Sequence, residues 1–125
     1  MKKTIISMLT VALLLTVFAF YEHDFVSRQF TEFKAALDVL YVKVDEKIAV
    51  EDDVYAVQTN WHDKKRYLHV FIPHNEIKEF DLWVAECVKL VRDEKWEDAL
   101  SKVEVLKELS VEIPKSFSVS IENIL

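Results

Sequence analysis

Four histidines carry the most versatile chemistry in this chain of 125 residues. His62 and His69 stand seven apart, two turns along one helix face, and His74 lies two residues before Glu76. With carboxylates in the right register they could hold a transition metal. A di-iron or di-manganese bundle site uses Glu-x-x-His on facing helices, and a zinc protease uses His-Glu-x-x-His. Neither motif occurs. The helix histidines therefore read as solvated. His74, between Pro73 and Asn75, reads as a ring that satisfies a free backbone group at a helix end. Cys87 is the single cysteine, which excludes an internal disulfide or a thiolate-rich metal cluster. With no activating histidine or basic residue directly beside it, Cys87 reads as a small buried hydrophobe. Glycine is absent altogether, so the chain has no phosphate-cradling loop, dinucleotide fingerprint or nucleophile elbow. No catalytic residue, metal ligand or cofactor is expected.

Contact chemistry is the better prospect. Trp61 and Trp96 fall on apolar stripes and are expected in a core. Trp83 falls off its stripe beside Leu82, and an exposed Leu82-Trp83 edge would be a contact patch. Lys64-Lys65-Arg66 interrupts the stripe of its own helix. It reads as a solvated face, or as a contact for anionic headgroups or an acidic partner. The formal net charge is −6, from 16 basic and 22 acidic residues. Setting aside Lys2 and Lys3 leaves 14 against 22, a balance that argues against nucleic acid.

The elements that position these residues are helical. Thr4 to Tyr21 is uncharged and rich in Leu, Ile, Val and Phe. At 1.5 Å per residue it reaches roughly 27 Å, enough for a bilayer core. Lys2 and Lys3 precede it, and Glu22 and Asp24 follow. The positive-inside rule then places the N-terminus in the cytoplasm and the rest of the chain outside. The alternative is a signal peptide cleaved after Val17-Phe18-Ala19, leaving Phe20 first and a secreted domain. The aromatics around that site and the length of the run favour an uncleaved anchor.

The remaining stripes follow helical spacing. Val26, Phe30, Phe33, Leu37, Leu40, Val44 and Ile48 form a heptad-like row with no breaker between it and the anchor, so one helix can run from Thr4 to Ile48. Glu51-Asp52-Asp53 suits a helix start. It leads into Val54, Val57, Trp61, Leu68, Phe71 and Ile72, and Pro73 is expected to end that helix. Asn75 is expected to cap a third helix bearing Ile77, Phe80, Val84, Cys87, Val88 and Val91. Asp93 is expected to cap a fourth bearing Trp96, Ala99, Val103, Leu106, Leu109 and Ile113, closed by Pro114. A greasy tail, with Phe117, Val119, Ile121, Ile124 and Leu125, is expected to pack on the bundle. The fold class is all-α, with an anchor over residues 1–21 and an antiparallel four-helix, two-hairpin bundle over 22–125.

Taken in order, several short segments resemble the bacterial domain of unknown function family 4363. They are the Met-Lys-Lys anchor, the Trp61 helix leading to His74-Asn75-Glu76-Ile77, the turn Asp93-Glu94-Lys95-Trp96-Glu97-Asp98-Ala99, Ile113-Pro114, and the closing Asn123-Ile124-Leu125. The family tends to place Trp after the first acidic turn, where this chain has Val54. The resemblance implies a small membrane-anchored helical protein of clostridia-like or bacillus-like bacteria, without established activity. It also implies a gene set beside that of a multi-span membrane protein.

These observations converge on an interaction or accessory protein outside the membrane, acting on a multi-span membrane partner or a second copy. A ligand-binding or sensory module is the alternative. A ligand module should hold a concave pocket with converging polar groups; an interaction module should have a filled core and an exposed apolar strip. Helices of about twenty residues would leave the membrane-proximal end of the first stripe uncovered. Tyr21, Phe25, Val26 and Phe30 are therefore expected to form a docking collar, with Leu82 and Trp83 as a second contact.

Overall fold

The computed structural model describes residues 1–124, with side chains described through Lys115. Four helices account for nearly all of it: α1 (Lys2–Asp45), α2 (Glu51–Leu68), α3 (His74–Arg92) and α4 (Trp96–Ile124). Each packs on the next in chain order, and α4 closes the ring against α1. No strand occurs among the described residues.

α1 is one unbroken helix of 44 residues with two different halves. Its N-terminal part is long and apolar enough to cross a membrane, and no residue of that apolar stretch is buried. The Thr10 and Thr16 hydroxyls bond the carbonyls four residues back, at 2.8 Å each, so neither leaves a donor unmet. From Val26 onward the helix turns one face inward: Val26, Phe30, Phe33, Leu37, Leu40 and Val44 are all buried. They meet Val54, Val57, Trp61 and Leu68 of α2, Ile77, Phe80, Val84, Cys87 and Val91 of α3, and Ala99, Val103, Leu106 and Ile113 of α4. Fully burying a side chain of this size contributes about 1.5–3 kcal/mol.

The aromatic centre of this core is Trp61, which is wholly buried. Its ring lies 4.4 Å from Phe80, 5.5 Å from Phe33 and 6.4 Å from Phe30, centroid to centroid. Its Nε1–H donates to Asp81 Oδ1 at 2.7 Å, which satisfies the one polar atom of the indole. Trp96, expected in the core as well, is only half-buried, at the start of α4.

Two of the three interhelical turns solve the problem of reversing a chain without glycine in the same way. Lys47 (φ 59°) and Glu94 (φ 57°) adopt the left-handed conformation. In the first turn Lys47 N–H donates to Val44 O and Ile48 N–H to Lys43 O. In the second, Glu94 N–H donates to Val91 O and Lys95 N–H to Leu90 O. Both are Schellman caps, a site that ordinarily takes glycine.

Several expected boundaries move. The stripe of α1 stops at Val44. Beyond it the cap reverses the chain, so Ile48 is exposed and Ala49 is buried instead. α2 ends at Leu68 rather than at Pro73, and Pro73 is the N-cap of α3. Asn75 therefore lies inside the first turn of α3 and is not its cap, because proline's fixed φ and missing N–H suit that helix entry. Asp93 is the C-cap of α3, and α4 opens behind Lys95, whose carbonyl accepts Ala99 N–H. Pro114 does not close α4, which runs through it to Ile124. The proline leaves the Ser110 carbonyl without its usual donor, a local cost that the continuing helix carries. Packing of the tail side chains lies outside the described residues.

Candidate interaction surfaces

The six expected contact residues separate into three groups. Phe30 is 1% exposed and packs against Trp61 and Phe80. It belongs to the core, as does Val26, and neither offers surface to a partner. Val26 and Phe30 therefore leave the expected collar, and only Tyr21 and Phe25 keep exposed surface there. The last turn of α2 and the α2–α3 loop lie beside them. There Phe25 is half-buried, 5.9 Å from Phe71 and 6.5 Å from Tyr67. Tyr21 remains exposed and stacks on Phe25 at 6.5 Å.

Leu82 and Trp83 form the other patch. Leu82 is 63% exposed. Trp83 is half-buried, with Lys102 Nζ 4.1 Å from its ring centroid. That ammonium also pairs with Glu86 at 3.4 Å. The indole face is thus covered by a cation, and the uncovered apolar part is Leu82.

The basic run divides in the same manner. Lys64 is buried, with its ammonium 2.6 Å from Glu32 Oε2 and 3.2 Å from Gln29 Oε1. Its stem fills the position where the α2 stripe lacks an apolar residue, and its head reaches the surface. The lysine's hydrogen bond and charge lower the Glu32 pKa. Lys65 bonds Asp81 Oδ2 at 2.7 Å, the carboxylate that also receives Trp61. Two of the three cations therefore bind acids across the bundle and do not form a free basic patch.

Other polar pairs stitch the bundle at its surface. Lys43 bonds Asp53 Oδ1 at 2.7 Å, and Asp53 Oδ2 accepts the Val50 N–H at 2.9 Å. Those two bonds, the lysine first, hold the Asp53 carboxyl below its ordinary pKa. Lys107 pairs with Asp38 at 3.1 Å and lies 4.4 Å from the Tyr41 ring centroid. The bond to Asp38 raises the lysine's pKa, while burial and the neighbouring Glu104 raise that of Tyr41.

Among the described residues, no group of three or more His, Cys, Asp or Glu side chains could hold a metal ion. His62, His69 and His74 are exposed, and His69 Nδ1 lies 3.3 Å from the Lys65 carbonyl in its own turn. Cys87 is buried in the core, and burial alone pushes its thiol up to about 12, far from a reactive thiolate. The concavities are shallow. A groove of about 280 Å³ between α1 and α2 is lined by Ala36, Val39, Leu40, Ala56 and Val57, with the Lys43–Asp53 pair and Asn60 also at its walls. Asn60 Oδ1 is buried without a hydrogen-bond partner among the described residues, as is His23 Nδ1. Neither atom was foreseeable from sequence, because each depends on how neighbouring helices cover it.

No curated protein matches the chain, and no solved structure matches it. The pattern of a domain of unknown function, DUF4363, does match, over residues 26–124. That span begins at the first buried residue of α1, Val26, and takes in every buried core residue of the four helices. The chain belongs to the DUF4363 family.

Proposed function

We propose that this chain is a single-pass membrane-anchored accessory protein whose helical domain lies outside the cytoplasm and engages a membrane partner. The observation that carries the reading is the division of α1. The first half of this single helix is apolar and uncovered, and the second half is the wall of a filled core. Such a helix ties the bundle to a bilayer with no linker. Lys2 and Lys3 before the apolar run, and Glu22 and Asp24 after it, support the orientation. The filled core and the shallow, open surface grooves favour a role in contact over one in enclosing a ligand. The reading gives the chain no catalytic activity. Its contact surfaces are Leu82, with the edge of Trp83, and the membrane-proximal Tyr21 and Phe25; the partner is a multi-span membrane protein or a second copy.

The test is crosslinking from membranes. A photo-crosslinking residue at Leu82 should yield one discrete adduct, and one at Val50, at the far end of the bundle, should not. A reporter fused after Leu125 should be active only outside the cytoplasm. Recovery of a soluble form beginning at Phe20 would overturn the anchor. A second reading, a small-ligand module, has one observation in its favour: the unpartnered Asn60 carbonyl at the α1–α2 groove.

A further inference from the structure

The α2–α3 connection lies at the same end of the bundle as the apolar half of α1, and the aromatic contacts fix its level. Phe25 stands four residues beyond Tyr21, about 6 Å along the helix. Tyr67 and Phe71 pack on that same ring, at 6.5 and 5.9 Å. The headgroup layer of a bilayer is roughly 5–7 Å deep on each side of the hydrocarbon. If the apolar run ends at Tyr21 as the anchor reading requires, then Phe25, Tyr67 and Phe71 lie within that layer. Tyr67, in the last turn of α2, is 57% exposed, and Val70, in the connection itself, is 73% exposed. Aromatic residues at this depth are what membrane interfaces select, and an apolar loop tip placed there removes its surface from water.

We infer that the α2–α3 connection is a second membrane contact. Tyr67 and Val70 rest in the headgroup and upper acyl region beside the α1 anchor, so the bundle is seated on the bilayer at two points. The inference rests on the anchor reading of α1. It commits to the lipid surface, because the loop is continuous in level with the apolar run. The contact is apolar and aromatic, and it requires no anionic lipid. The nearby Lys64 and Lys65 are held by Glu32 and Asp81 and offer no free charge to anionic headgroups.

The experiment uses the full chain in phosphatidylcholine vesicles, in a Cys87→Ala background, with an environment-sensitive fluorophore on one introduced cysteine at a time. Val70→Cys and Tyr67→Cys report on the loop, Leu14→Cys on the anchor, and Val50→Cys on the far end. The expected result is that the labels at 67 and 70 emit to the blue of the label at 50, are quenched by lipid-borne nitroxide, and are severalfold less accessible to aqueous iodide. The order should persist at high salt. If the label at 14 is lipid-quenched while those at 67 and 70 behave like that at 50, the loop inference fails and the anchor stands. If the label at 14 is also aqueous, the anchor reading fails. Iodide protection at 70 without lipid quenching would mean that a second copy covers the loop, and would overturn the lipid assignment.

Discussion

Replacing Lys47 by glycine should stabilise the bundle, although it deletes a side chain and a charge. Lys47 holds φ at 59° in a Schellman cap. A residue with a Cβ pays roughly 1–2 kcal/mol in that region. Glycine removes this strain but brings about 0.5–1 kcal/mol of extra chain entropy to the unfolded state. The net gain is about 0.5–1 kcal/mol, which for a domain of ~100 residues raises Tm by roughly 2–8 °C. Glu94, at φ 57° in the other cap, should behave alike. Glu46 supplies the opposite sign. It is the C-cap at φ −81°, a conformation open to any residue, so Glu46→Gly should lose about 0.5–1 kcal/mol. One confounder is electrostatic, since Lys47 lines a shallow hollow with Glu97 and Asp98. That attraction is exposed and should fade near 1 M salt, where the Debye length is about 3 Å. Thermal and urea unfolding of the full chain in detergent, followed by near-ultraviolet circular dichroism, would read the three variants. If Lys47→Gly lowered Tm at high salt while Glu46→Gly left it unchanged, the backbone argument would be wrong.

The other outcomes concern the core and its ion pairs. Trp61→Ala should cost about 3–5 kcal/mol in urea unfolding, and Trp96→Ala clearly less, because its ring is only half-buried; equal losses would place the two rings wrongly. Lys64→Met, which keeps the buried stem and frees the exposed Glu32 to water, should hold stability within about 1.5 kcal/mol, whereas Lys64→Asp should lose several times more. The folded Asp53 carboxyl is held below its unfolded value, so its contribution is present above about pH 4 and is lost as the pH falls through the folded pKa. Asp53→Asn should therefore flatten the fall in Tm below that pH, and an unchanged acid limb would mean that the Lys43 pair contributes nothing.

What could be read from the residues was the periodic part. Val26 to Val44, Ile77 to Val91 and Ala99 to Ile113 are stripes because a helix face toward a core repeats every three or four residues, and the structure buries them as spaced except for Leu109, which is only half-buried. Turn chemistry was harder to read. A chain without glycine gives no letter for a left-handed residue, so nothing marked Lys47 or Glu94, and the cap signals at Asn75 and Asp93 pointed a few residues astray. Lys64 looked like a flaw in its stripe because a lysine's stem and head obey different rules, and its partner Glu32 is distant in sequence. Phe30 left the collar because Trp61 and Phe80, distant from it in sequence, close over its ring. Leu82 and Trp83 were legible as residues off the stripe, but the Lys102 cover over Trp83 needed the α3–α4 packing to be seen.

The unbroken passage of α1 from its apolar half into its core half has a mechanical consequence. A bundle hung on a flexible linker would keep its orientation whatever the anchor did. Under the proposed reading, in which the apolar half is a membrane anchor, the two are one lever. From Tyr21 to Asp45 the helix extends about 36 Å, so a tilt of about 20° within the bilayer, an ordinary value for a spanning helix, would carry the far turns sideways by roughly 12 Å. A rotation of the anchor about its own axis would likewise turn the Leu82 face toward or away from a neighbour in the same membrane. Bilayer thickness, or contacts made by the anchor alone, would then set which face of the bundle a partner meets.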